Sequence, residues 1–295
     1  FKVEYWECAP FIFPRFFNGY TPPDNFDFPG LKLFYSEKTL LNAIDQLTTH
    51  DLIVWFLGFP KIKTRKILKK ISDRGIHSGA LYLGGRPVPV NKGFWFRLKR
   101  IFFKPSFLLD YLLRKPLFRL YRFRPFNFIL VGGTTHIYSN HISSKTAIID
   151  THAFDYDLCL ESQKDPKQGE SIIFLDEGGP FHPDHLVSNS PFPCSKEEYF
   201  GNLNSFFRMV EKKFSHQVVI ASHPKVNYGK IPDCFEGRKV VYKQTHRLVK
   251  DSKFVIASCS TAINFAVIYK KPLILLTIKP SRENVLDLQT KILAS

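Results

Sequence analysis

From Asp51 onward, short apolar runs of strand length alternate with longer stretches whose apolar residues recur at helical spacing. Asp51 to Phe59 reads as a buried strand, Lys61 to Arg74 as a basic helix stopped by Gly75, and His77 to Leu83 as the next strand, closed by Gly84-Gly85. Strand, helix and strand on short links is the βαβ pattern of a parallel sheet. Further strands are predicted at Asn127 to Val131 and at Ala147 to Asp150, the latter followed by an acidic link over His152 to Asp157. The second half alternates without a break. Strands are predicted at 171–175, 217–222, 239–242, 254–258 and 272–277, and helices at 196–214, 245–252, 261–270 and 281–294. Residues 1–50, rich in Phe, Pro and Asn, keep no clean period and read as the loop-rich edge of a domain. Composition turns polar around 160–169, so the domain boundary is expected near 165, with Rossmann-like α/β domains at 1–165 and 166–295.

Residues 93–126 interrupt the alternation. Between Arg97 and Arg124 there are nine Lys or Arg and a single acid, Asp110, set among Phe, Tyr and Leu, with Trp95 just before. Two helices with one aromatic and one basic side suit an anionic membrane surface, where each basic residue adds about 1 kcal/mol. Two ordinary helices covering the sheet, their cations merely solvated, fit the same residues. Single-stranded nucleic acid ranks below both, because no RRM, KH or helix-turn-helix signature accompanies the charge.

Composition supports a folded chain with anionic partners. The 295 residues are 44% hydrophobic and 23% charged, near the globular norm, and 42 Lys and Arg against 26 Asp and Glu leave a net charge of +16. The five cysteines, Cys8, Cys159, Cys194, Cys234 and Cys259, are scattered and form no CxxC pair, which points to reduced thiols and to no metal. The longest apolar run, Leu52 to Leu57, is far short of a bilayer span, and residues 1–20 lack the basic-then-apolar plan of a secretory leader. The reading is a cytoplasmic protein, or one peripheral on the inner face of the cytoplasmic membrane.

Three polar signatures stand where predicted strands run out: Asp176-Glu177-Gly178, His223-Pro224 and Ser260-Thr261. In an open α/β sheet ligands bind beyond the carboxyl ends of the strands, so the three are expected to meet in one pocket. A carboxylate followed by glycines suits removal of a proton from a hydroxyl, with Asp176 as the base and Glu177 orienting it. A histidine after a buried strand, fixed by the next proline, suits contact with a departing phosphate, and Lys225 adds charge beside it. Ser260 and Thr261, at a predicted helix start, suit a phosphate cradle, although such residues cap most helices in any case. A second His-Pro, His182-Pro183, competes for the role of His223. Its loop, with His185, is assigned to acceptor or donor-carboxylate contact.

The order and spacing of these motifs resembles the bacterial sialyltransferases and Kdo transferases of surface polysaccharide synthesis. The resemblance covers residues 145 to 280. It implies a GT-B layout, two Rossmann-like domains facing across a cleft, with the acceptor on the first domain and the nucleotide sugar on the second. It also implies transfer of a ulosonic acid, such as Kdo or sialic acid, from its CMP-activated form to a lipopolysaccharide, capsule or other glycan or lipid-linked acceptor. His223 would then contact the CMP phosphate, with Gly178, Pro224, Lys225, Ser260 and Thr261 completing the donor site. No cofactor is implied beyond the CMP-sugar substrate; no HExxH or DxD motif stands in a persuasive place, and metal independence fits a donor that carries a single phosphate. No P-loop or GxGxxG spacing is present, which argues against an NTPase or dehydrogenase. The alternatives are another GT-B reaction, a polyol-phosphate transferase of cell-envelope synthesis, and a non-enzymatic basic protein binding membrane or nucleic acid.

Overall fold

In the computed structural model, residues 2–19, 29–56, 62–83, 116–132, 141–161, 169–185, 192–258 and 260–277 are described. Two compact units divide between His152 and Ala153, and residues 13–29 belong with the second unit. The division thus falls earlier than the polar stretch near 165. The predicted helix at 281–294 and most of the basic segment 93–126 lie outside the described residues; of the latter, 116–120 are helical.

In the first unit, β3 (Leu52–Trp55), β4 (His77–Tyr82), β5 (Phe128–Gly132) and β6 (Ala147–Thr151) form a parallel sheet in sequential order. A separate parallel pair joins β1 (Tyr5–Glu7) to β2 (Leu31–Leu33). The described residues among the first fifty are therefore not mainly loop. They also hold α1 (Ala9–Ile12) and α3 (Glu37–Asp45), while α2 (Pro14–Gly19) belongs to the second unit. Ser36 caps α3 by accepting the Thr39 N–H, and Leu40 and Ile44 are its buried face. Helix α4 (Ile62–Asp73) contributes Leu68 to a core of Ala80, Phe123, Phe126, Ile129 and Val131.

His141 is buried against that core. It shares a hydrogen bond with the Tyr82 hydroxyl through Nδ1 and packs edge-on against Phe126. Burial, helped by the charge of Arg65, pushes its imidazole from 6.5 down to about 4. The folded protein therefore holds His141 neutral, while the unfolded chain takes up a proton first as the medium acidifies. This contribution is complete above pH 6.5 and is lost as pH falls toward 4, by at most about 3 kcal/mol. The pH dependence of urea unfolding should show that loss between pH 6.5 and 4, and His141→Gln should flatten it.

The second unit carries the site. Its strands β7 (Ile172–Leu175), β8 (Val218–Ala221), β9 (Val240–Val241), β10 (Phe254–Ala257) and β11 (Leu273–Leu275) are all parallel, in the order β9-β8-β7-β10-β11. Counted within the unit this is 3-2-1-4-5, the Rossmann order, and its switch point lies between β7 and β10. Alternate residues feed two cores. Ile172, Phe174, Val218, Ile220, Phe254 and Ile256 pack with α6 (Lys196–Phe214). Ile173, Leu175, Ala221, Val255 and Ala257 pack on the other face with α5 (Phe154–Glu161), α7 (Thr245–Lys250) and α8 (Ile263–Ile268). Burial on both faces explains why these strands read as unbroken apolar runs. Helix α5 replaces the acidic link expected over 152–157.

Helix α6 also anchors the connection from β8 to β9. Ser195 caps it by accepting the Glu198 N–H, and Phe200, Leu203, Asn204, Phe207 and Val210 form its buried stripe. Arg238, at the end of the connection, donates to both carboxylate oxygens of Glu211 at 2.9 and 2.7 Å and to Asn204 Oδ1 at 3.0 Å. Asn204 in turn donates to the Cys234 carbonyl at 2.9 Å. The pair is half-buried, and removing Arg238 leaves Glu211 and Asn204 short of charge-assisted or neutral donors, so Arg238→Ala is expected to cost about 2 kcal/mol in urea unfolding.

Candidate functional site

The chain leaves β7 directly into Asp176, whose N–H continues the ladder to the Ala221 carbonyl at 3.0 Å. Asp176 is only 4% exposed. Its Oδ1 accepts the Gly178 N–H at 2.9 Å; its Oδ2 accepts the His223 N–H at 3.0 Å and the Tyr228 hydroxyl at 2.9 Å. Burial pushes the carboxyl above the ordinary range, opposed by these bonds and by the Glu177 N–H. Burial and the charge of Asp176 also raise the Tyr228 hydroxyl far above its usual value, so Tyr228 stays a donor. The carboxylate thus ties the loop after β7 to the loop after β8.

The glycines after Asp176 are required by shape. Gly178 and Gly179 have φ of 76° and 44°, and a Cβ on Gly179 would lie 2.7 Å from the Tyr199 ring. The tight turn brings residues 179–185 back over the sheet edge. There the second His-Pro meets the first, the His182 and His223 ring centroids lying 4.6 Å apart at 60°. The two histidines expected to compete for one role occupy one place.

Each lies in a turn of the same form. His182 Nδ1 accepts the Asp184 N–H at 3.1 Å, and His223 Nδ1 accepts the Lys225 N–H at 3.2 Å. An imidazole that accepts through Nδ1 carries its proton on Nε2 when neutral. Pro183 and Pro224 fix the backbone between each histidine and the amide it accepts. The third residues of the turns join as well, Lys225 Nζ lying 3.3 Å from Asp184 Oδ1. Lys225 also sits 5.9 Å from the Phe16 ring centroid on α2. His185 faces inward; its Nε2–H donates to the Gly179 carbonyl at 3.1 Å and its ring packs on Phe192.

Ser260 and Thr261 differ from expectation. The helix starts two residues later, its N-cap is Ala262 without a side-chain cap bond, and the Ser260 hydroxyl accepts the Ala262 N–H at 3.2 Å. Ser260 is half-buried and Thr261 exposed, beyond the carboxyl end of β10 and so across the switch point from Asp176. Glu177 is half-buried next to Asp176. Of the expected residues, the structure brings Asp176, Gly178, His182, His223, Pro224 and Lys225 into one bonded cluster, with His185 holding its turn.

Tyr228, Tyr199 and Asp184 were not among the expected residues. Tyr228 lies 52 positions from Asp176 and carries no local signal. Tyr199 is a half-buried α6 residue whose hydroxyl is pushed well above its usual value by desolvation, then by the charges of Asp176 and Glu177. Asp184 was visible as the third residue of His-Pro-Asp, parallel to His-Pro-Lys. Among the described residues no group of three or more His, Cys, Asp or Glu is placed to hold a metal ion, and no helix is long and apolar enough to cross a membrane.

No protein-family model matches the chain, and no curated protein matches it significantly. Among solved structures it is similar to a UDP-GlcNAc 2-epimerase from Methanocaldococcus jannaschii, at 12% identity over 97% of this chain and 79% of that one, with a TM-score of 0.47. It is also similar to the glycotransferase of kitacinnamycin, at 10% identity over 87% of this chain and 66% of that one, with a TM-score of 0.38. Similarity at this level does not bear on function.

The geometry predicts graded losses of stability. Asp176→Ala leaves several buried donors without an acceptor and should cost about 3 kcal/mol, whereas Tyr228→Phe removes one donor and should cost about 1 kcal/mol. Urea unfolding monitored by far-UV circular dichroism gives both values.

Proposed function

We propose that the second unit binds a nucleotide sugar and that the protein is a glycosyltransferase using a CMP-activated ulosonic acid to extend a bacterial surface polysaccharide or glycolipid. The observation that carries this reading is the meeting of the Asp176, His182 and His223 turns at the carboxyl edge of a Rossmann-ordered sheet, beside its switch point. Imidazole donors and a lysine suit a leaving phosphate, and the positive φ of Gly178 allows backbone to approach it.

In this reading Asp176 is a positioning residue, because both its oxygens already accept bonds that hold His223 and Tyr228 in place. Glu177, half-buried beside it, takes the acceptor proton. The acceptor oxygen bonds to the anomeric carbon as the bond from that carbon to the phosphate oxygen breaks. The electron pair leaves on the phosphate, where His223 Nε2–H and Lys225 stabilise it. Ser260 and Thr261 offer hydroxyls from the far side of the switch point.

Millimolar CMP should raise the melting temperature, since a ligand bound only by the folded state stabilises it by about 2.7 kcal/mol at a hundred times its Kd. Incubation with CMP-Kdo, CMP-sialic acid and CDP-glycerol should release CMP from one of the first two. Turnover of CDP-glycerol alone would instead establish polyol-phosphate transfer. No shift with any nucleotide and no turnover would sink the enzymatic reading.

A further inference from the structure

In the second unit every strand is parallel, so all five begin on one edge of the sheet, opposite the edge that carries Asp176 and the histidine turns. The Ile172 N–H donates to the Gln217 carbonyl at 3.3 Å and the Lys253 N–H to the Ser171 carbonyl at 2.9 Å, which sets β8, β7 and β10 level where they start. Lysines gather there. Lys239 stands immediately before β9 and Lys253 before β10, Lys270 and Lys271 lead into β11, and Lys212 and Lys213 lie in the last turn of α6, which returns the chain to the start of β8. The β10–β11 register, continued two residues back, puts Lys253 beside Lys271. Like charges on neighbouring strands repel, and an anion laid over them relieves the repulsion.

The local contacts leave this charge unspent. Lys212, Lys213, Lys239, Lys253 and Lys270 are exposed, and none of them has a carboxylate partner among the described residues. Lys253 Nζ lies 3.2 Å from His216 Nε2, Lys213 Nζ lies 5.8 Å from the Phe214 ring centroid, and Lys271 Nζ donates to the Ser252 carbonyl at 2.8 Å. Acids stand on this edge too, in Glu170, Glu211, Glu236 and Asp251, but Arg238 holds Glu211 and Arg208 holds Glu236.

We propose that this amino edge docks on an anionic lipid bilayer through its lysines, without inserting apolar side chains. Shape and chemistry favour the bilayer over other polyanions. The lysines come from the end of one helix and the starts of three strands, spread over an area instead of along a groove, so the partner must present anions across a surface. Among the described residues no exposed aromatic side chain stands beside them, which removes the stacking that single-stranded nucleic acid uses. Lysine is a point charge without the planar fork of arginine, and it suits an array of headgroups in motion. Asp176 lies about 17 Å away, five residues along β7, so the docked edge leaves the carboxyl edge open.

Co-sedimentation of the whole protein with vesicles tests this. Vesicles of phosphatidylcholine and phosphatidylglycerol in equal parts should bind it, and vesicles of phosphatidylcholine alone should not. Binding should disappear with salt, since the Debye length shrinks from about 10 Å at 0.1 M to about 3 Å at 1 M. Lys253→Gln should lower the partition coefficient about fivefold, and Lys212→Gln with Lys213→Gln about thirtyfold. Lys196→Gln, at the opposite end of α6, should leave it unchanged. No binding to the mixed vesicles at low salt overturns the proposal. Binding that persists at 1 M salt, or that the three folded amino-edge variants leave intact, overturns it as well, the second outcome placing the contact elsewhere on the chain. Should these lysines instead be needed for a single-stranded oligonucleotide or for heparin while the vesicles stay unbound, the partner is a linear polyanion and the bilayer is excluded. Any of these failures leaves the nucleotide-sugar reading untouched, because stabilisation by CMP reports on the other edge of the sheet.

Discussion

A buried carboxylate is costly unless its oxygens are satisfied, and in this protein that requirement organises the site. Asp176 is withdrawn from water at the end of the central strand of the second unit, and it recovers the loss through the N–H groups of Gly178 and His223 and the Tyr228 hydroxyl. Those donors come from two different loops. Satisfying one carboxylate therefore fixes the turn after β7 and the turn after β8 together, and with them the two histidines. The raised carboxyl and the raised Tyr228 hydroxyl follow from the same burial.

Rigid elements hold this knot. Helix α6 lays its aromatic stripe on one face of the sheet, and Arg238 clamps the end of the β8–β9 connection to it through Glu211 and Asn204. Phe181, Phe200, Tyr228 and Phe235 pack edge to face or tilted beneath the turns. The connection that carries His223 and Tyr228 is thereby closed at both ends, by Asp176 at its start and Arg238 at its finish. Side chains so held suit chemistry that depends on placement.

Much of the second unit was legible because its strands are buried on both faces and its long helix has an apolar stripe behind a serine N-cap. Helix 196–214 is the clearest case, with Ser195 and Glu198 at one end and Phe200, Leu203, Phe207 and Val210 along it. Helix 154–161 was hidden because it buries only Cys159 and so shows no stripe, although Asp155 and Asp157 suit its first turn. The strands at 5–7 and 31–33 are three residues each, too short to display a period. At Ser260-Thr261 the hydroxyl bonds its own turn, and the helix begins later than residue type suggested.

The sequence by itself determined the α/β class, the strands of the four-stranded and five-stranded parallel sheets and the placing of Asp176 and His223 at strand ends, because burial patterns and strand termini are local properties. Tertiary structure alone decided that His182 and His223 are neighbours and not rivals, and that Asp176 spends both oxygens on the fold. It also decided that Tyr228, 52 positions away, completes the carboxylate's partners. Those relations depend on which strands lie side by side and how tightly Gly178 and Gly179 turn. Strand order and loop closure are set by the packing of the whole sheet, which no stretch of residues carries alone.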